Sequence, residues 1–247
     1  MHKRAGAAAQ QCGSVERRSD RRRQCPSGSN CSTVALELIG FKCSLFVPLC
    51  CFCSLSLRLS FRPQTVDLRK GEHKQPAHLA RQPFGQIPAL VDGDLTVYES
   101  RAIARYVNDT RGGKLTPADP KKRAIMEQWL SLEQGTITPE ISGIVAQRVF
   151  APMFGGKTDE AAVAKHAEKA KQGLDVLDAH LAKNEYLAGD QFTLADVFFM
   201  PYFALALHTP EAPLLTARPN IDAWWKRVSA RPSWTKAQEL NEFAQKQ

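Results

Sequence analysis

Three small groups of residues carry types and spacings from which binding chemistry can be built: His73-Lys74, Gln86-Ile87-Pro88 and Glu99-Ser100. All lie between Thr65 and Val107, and each offers a different contact to a small anionic peptide. His73 and Lys74 follow Gly71-Glu72 in a polar loop and can pair with a carboxylate. A proline that opens a strand has no N–H, so the residue before it can turn its own amide and carbonyl outward; Ile87 before Pro88 is in that position. Ser100 can cap a helix whose exposed amides and hydroxyl grip a second carboxylate, and Glu99 can meet an ammonium. Each group also has a plainer reading, as a surface loop, a rigid turn and an ordinary helix start.

The elements that must position these groups are legible around them. Val34–Ile39 reads as a strand that stops at Gly40, and Thr65–Leu68 as another short strand. Ala89–Val91 and Leu95–Tyr98 flank Asp92-Gly93-Asp94, a strong hairpin signal. Ser100–Val107 then places Ile103, Tyr106 and Val107 at helical spacing. An order of strand, helix, strand, helix, hairpin and helix predicts a small domain with a mixed sheet. The expected boundaries are a basic, disordered extension over 1–31, this domain over 32–108 and a Gly/Pro-rich connector over 109–120. An all-helical domain follows over 121–247. In the helical part Ile125, Trp129 and Leu132 share one face, as do Leu174, Leu177 and Leu181. Thr193 and Asp196 form a capping box ahead of the apolar run Val197–Ala206, which should be a buried spine.

Charge and cysteines are concentrated at one end. Residues 1–63 carry ten Lys/Arg against three Asp/Glu, whereas the rest of the chain carries 23 against 22. Nearly all of the net charge of +8 therefore lies in the first 63 residues, and nucleic acid is not the expected partner of the near-neutral globular part. All seven cysteines (Cys12, Cys25, Cys31, Cys43, Cys50, Cys51 and Cys53) lie in the first quarter, which argues against a disulfide framework and suits a reducing compartment. Cys50 and Cys53 have the spacing of a redox pair, though apolar thiols are the simpler reading. The uncharged run Cys43–Leu57 is 15 residues long, short of the roughly 20 that span a bilayer, so no membrane is expected. Cytoplasmic location follows, or an organelle if the Arg/Ser-rich residues 1–30 are a transit peptide.

Taken in order, these motifs closely resemble the glutathione S-transferase family, most like its phi class. The resemblance covers about 34–247 and is weak over 45–64, with Leu187-Ala-Gly-Asp190 and Arg218–Trp224 adding to it. It implies an α+β protein, with a thioredoxin-like N-terminal domain and an all-α C-terminal domain. It also implies a homodimer, glutathione as co-substrate without any metal, and a hydrophobic electrophile as second substrate. On this reading His73 and Lys74 pair with the glycyl carboxylate. Gln86 and Ile87 hold the cysteinyl unit beside a cis Pro88, and Glu99 and Ser100 hold the γ-glutamyl end. The thiolate is the nucleophile and needs a stabilising donor. The phi class uses a serine after the first strand, and Ser44 matches, 29 residues before His73. Ser32 and Cys43 are the alternatives. Phe150, Met153 and Phe154 would line the electrophile pocket or form a satellite of the core.

The chain departs from the family after Ser44. LFVPLCCFCSLSLRLSFRPQ has the length of the family's first helix but no clean polar face. Two further functions therefore stay open: a glutathione-binding or scaffold protein without catalysis, and a thiol-transfer enzyme using Cys43 or the Cys50/Cys53 pair.

Overall fold

The computed structural model describes residues 36–40, 61–68 and 70–245. The chain divides into two units, Met1–Thr33 and Val34–Gln247, and all that follows belongs to the second. A four-stranded sheet contains β1 (Leu36–Gly40), β2 (Phe61–Thr65), β3 (Ala89–Asp92) and β4 (Leu95–Tyr98), in the order β2-β1-β3-β4. β1 and β2 are parallel, and the other pairs are antiparallel. Asp92 pairs with Leu95 across a tight turn in which Gly93 has φ 64°, as the Asp-Gly signal requires. Neighbouring residues point to opposite faces. Leu38 and Leu90 join the main core, while Ile39 and Ala89 pack with Val66 on the other side.

The second strand lies earlier than the sequence pattern suggests. It ends at Thr65 because the next residues close a loop: the Glu72 amide donates to the Asp67 carbonyl at 3.0 Å, and the Asp67 amide donates to the Glu72 carboxylate at 2.7 Å. Residues 61–64, assigned above to the atypical stretch, are thus regular strand at a sheet edge, where a proline such as Pro63 is tolerated.

The helices of eight or more residues among those described are α1 (Ser100–Thr110), α2 (Pro120–Leu132), α3 (Thr138–Val145), α4 (Glu160–Leu181), α5 (Leu194–Ala206), α6 (Pro219–Ser229) and α7 (Pro232–Gln245). Asp109 and Thr110 extend α1, and Pro120 occupies the first turn of α2, where its missing N–H costs nothing. The connector is therefore shorter at both ends than its composition suggests. The buried stripe of α2 is Met126, Trp129 and Leu130, while Ile125 is exposed. A π turn over 133–137 joins α2 to α3, and a second over 146–150 follows α3.

α5 is the spine, with ten of its thirteen residues buried. The Thr193–Asp196 capping box forms as its spacing requires. Asp196 also accepts from the Leu187 amide at 3.1 Å and the Trp224 indole at 2.9 Å. Burial pushes its carboxyl pKa up, and these donors pull it back. Among the described residues no helix is long and apolar enough to cross a membrane.

Candidate functional site

The residues leading into β3 are held by side chains. His78 and Gln82 lie on and just after the helical turn Pro76–Leu79, and both are buried. The His78 ring Nε2 donates to the Gln86 carbonyl at 2.7 Å, and the Gln86 amide donates to the Gln82 side-chain oxygen at 3.0 Å. Gln86 itself is exposed, Ile87 half-buried and Pro88 buried, and the Ile87–Pro88 peptide is cis. The Ile87 main chain makes no hydrogen bond among the described residues. A half-buried backbone edge without a partner is what a ligand peptide can pair with.

His73 and Lys74 stand beside this edge, in the single turn Glu72–Lys74. Gly85 allows the approach: its φ is 61°, and a Cβ there would sit 2.8 Å from the His73 carbonyl and from the Lys74 side chain. Lys74 Nζ donates to the Phe84 carbonyl at 2.9 Å, which leaves further donors on an exposed ammonium. His73 Nδ1 is buried and has no partner among the described residues. Burial, then the charges of Lys74 and His78, lower the His73 pKa below its ordinary 6.5. The loop thus offers one cation and one neutral imidazole at pH 7.

The start of α1 differs from the expected serine cap. Glu99 is the N-cap, with φ 71° and ψ 115°, and Ser100 is the first helical residue and is buried. No other non-glycine described residue has positive φ. Such a conformation costs roughly 1–3 kcal/mol and survives only where the surroundings impose it. The Glu99 side chain does not cap the helix, so this helix start keeps its affinity for an anion.

Arg101, next in the chain, reaches into the helical domain. It makes a two-pronged contact with Glu133 at 2.6–2.9 Å and lies 5.8 Å above the Phe198 ring. The Glu133 side chain is fully buried in the first π turn and also accepts from the Thr138 hydroxyl at 2.7 Å. The site is therefore braced from the second domain.

His73, Lys74, Gln86 and Ile87 are brought together around one loop and strand edge, and Glu99 and Ser100 sit where β4 passes into α1. Ser44, Ser32, Cys43, Cys50 and Cys53 lie outside the described residues. Phe150 packs partly on the core, whereas Met153 and Phe154 are exposed beside Gly155. His78, Gln82, Arg101 and Glu133 were missed. Each looks in sequence like an ordinary surface residue; burial marks His78, Gln82 and Glu133, and the contact with Glu133 marks the half-buried Arg101. Among the described residues no group of three His, Cys, Asp or Glu could hold a metal ion.

Comparison with known proteins decides the family. Residues 56–109 match the glutathione S-transferase N-terminal domain and residues 140–232 the glutathione S-transferase C-terminal domain. Glutathione S-transferase 3 of Zea mays is 47% identical over 182 residues, covering 72% of this chain and 82% of that protein. The chain belongs to the glutathione S-transferase family. Glutathione transferase F7 from Populus trichocarpa superposes with a TM-score of 0.81 at 37% identity, covering 84% of this chain and 99% of that one. Glutathione S-transferase I from maize, solved with an atrazine glutathione conjugate, superposes with a TM-score of 0.79 at 34% identity, over 84% and 98% of the two chains. Several of its relatives, glutathione S-transferase F10 of Arabidopsis thaliana among them, are plant phi-class proteins. The sheet with its cis proline and the helical domain are the two parts of that fold.

Proposed function

We propose that this chain is a glutathione transferase, joining the sulfur of glutathione to hydrophobic electrophiles. The observation that carries the reading is Glu99, held at φ 71° at the head of α1, in a chain whose family binds glutathione. Backbone strain of this kind is retained where it serves a ligand. The Ile87 edge takes the cysteinyl unit, Lys74 with His73 the glycyl carboxylate, and the α1 amides with Ser100 the γ-glutamyl carboxylate. Ser44, by resemblance, donates a hydrogen bond that stabilises the thiolate. The sulfur lone pair then forms the bond to the electrophilic carbon, and the displaced group leaves.

The same reading includes a homodimer, a detoxifying role and a cytoplasmic location. The dimer is supported by an aromatic patch: Phe84 is 65% exposed and packs edge-on to the exposed Tyr98 at 6.4 Å. Sedimentation of the purified chain and of Phe84→Ala tests it, a dimeric parent and a dissociated variant being expected.

Activity is tested by assaying glutathione conjugation to a generic aromatic electrophile, with Ser44→Ala in parallel. Turnover in the parent that falls by a hundred-fold or more in the variant is expected. A parent that binds glutathione and turns nothing over supports the scaffold reading instead.

A further inference from the structure

We infer that His78 and Gln82 are positioning residues for glutathione, holding the Gln86–Ile87 main chain in the conformation that presents a free edge to the cysteinyl peptide. The inference rests on the transferase reading above and deepens it. Its basis is the unusual way the turn before β3 is satisfied. Gln86 lies outside the sheet, so neither of its main-chain groups joins a ladder. The Gln82 side-chain oxygen takes the amide at 3.0 Å, and the His78 Nε2–H supplies the carbonyl at 2.7 Å. The two side chains are only 1% and 4% exposed. A third contact, Gln82 Nε2 to Gln86 Oε1 at 3.5 Å, is long.

Two buried polar side chains fixing both ends of one residue determine the orientation of the peptide planes on either side of it. The next residue, Ile87, has neither main-chain group paired among the described residues. The clamp thus stops one residue short of the contact edge, leaving that edge open and already shaped. An edge ordered in advance spends less of the binding free energy on ordering.

The His78 contact also fixes which ring nitrogen donates. A carbonyl accepts, so Nε2 carries a proton, and Nδ1 is buried without a partner among the described residues. The buried ring acts through the Gln86 main chain, which makes it a positioning and not a catalytic group.

The test compares the full chain with His78→Phe, Gln82→Leu and Gln82→Glu in steady-state conjugation. Phenylalanine keeps the ring without the donor, leucine keeps the bulk without the acceptor, and glutamate keeps the acceptor. The first two should raise KM for glutathione about ten-fold, with kcat and the electrophile KM unchanged. Gln82→Glu should return most of the loss. Hydrogen exchange at the Gln86 amide should quicken in Gln82→Leu and stay slow in Gln82→Glu, a readout independent of turnover. An active parent whose glutathione KM is the same in all three variants overturns this inference alone. So does a loss confined to kcat. A parent that neither binds nor conjugates glutathione overturns the transferase reading and this inference with it.

Discussion

In the helical half, the buried carboxylate of Asp196 accepts from the Leu187 and Thr193 amides and from the Trp224 indole, and Glu133 accepts from Arg101 and Thr138. In the sheet half, among the described residues, His73 keeps a buried Nδ1 with no partner and Ile87 an open main chain, and Glu99 is held at positive φ. The helical half satisfies these two buried carboxylates fully, as a region selected for stability should, although Trp129 Nε1 and Arg231 Nε there are buried without a partner among the described residues. The sheet half leaves several unsatisfied or strained at neighbouring positions, as a region that must receive a ligand should. The difference makes a rule that can be broken. Damage to the first kind of group should cost stability and spare ligand affinity on whatever folds, and damage to the second should do the reverse.

The largest effect is expected at Asp196. Asp196→Ala removes the reciprocal half of the capping box and orphans the Trp224 N–H and the Leu187 amide. Together these should cost about 4 kcal/mol of stability. Urea unfolding measures it, and the glutathione KM of the remaining folded protein should be unchanged. A loss below about 1 kcal/mol would show that the spine is not held by this carboxylate.

Glu133→Gln probes the place where the two halves meet. The amide can still accept from Arg101 and Thr138, but the guanidinium loses its only carboxylate partner among the described residues in a site where it is 26% exposed. A cost of about 2 kcal/mol is expected, below that of a fully buried pair because Arg101 keeps some water. Arg101 directly follows Ser100, so this variant should also raise the glutathione KM and violate the simple rule. Stability loss without a KM change would confine Glu133 to the helical half.

Glu99→Gly has the opposite sign. Glycine accepts φ 71° without steric cost, so the released strain exceeds the extra chain entropy and the variant should gain roughly 1 kcal/mol. Its glutathione affinity should fall, because the carboxylate and the imposed geometry go together. Calorimetry and urea unfolding on one preparation read both signs. A variant that is less stable would mean that Glu99 is not strained but supported.

What the sequence showed and hid divides along the same line. The capping box, the Asp-Gly hairpin and Gln86-Ile87-Pro88 were legible because each is decided within a few residues, by a side chain and the backbone beside it. Arg101–Glu133 was not, since 32 residues separate the pair and a π turn has no composition of its own to announce it. The Glu99 conformation was hidden for another reason: positive φ is normally signalled by glycine, and here the surroundings impose it on glutamate. His78 and Gln82 read as polar residues of a surface turn until their burial is known. The strand at Phe61–Thr65 was placed late because the alternation runs on past the point where the Asp67–Glu72 loop cuts it off.

The smallest effect sharpens the comparison most, because one group should pull the two properties apart. His73 is neutral at pH 7, and its folded pKa lies below the ordinary 6.5 through burial and the charges of Lys74 and His78. A lowered folded pKa means that the unfolded chain takes up this proton first as pH falls. Stability should therefore decline as pH drops through 6.5, and the decline should stop once the folded chain is protonated too. Ligand affinity should move the other way, since the imidazolium adds a second cation facing the glycyl carboxylate. Comparing His73→Gln with the parent at each pH isolates His73 from the other titrating groups. The stability difference should open below pH 6.5, and the parent should gain affinity relative to the variant over the same window. Linkage adds a check that needs no variant: a ligand that favours the protonated ring must draw a proton onto it. Glutathione titrated into the parent near pH 6 in two buffers of different ionisation enthalpy should show proton uptake. Equal heats in both would mean that His73 does not face the carboxylate, and that Lys74 alone supplies the charge.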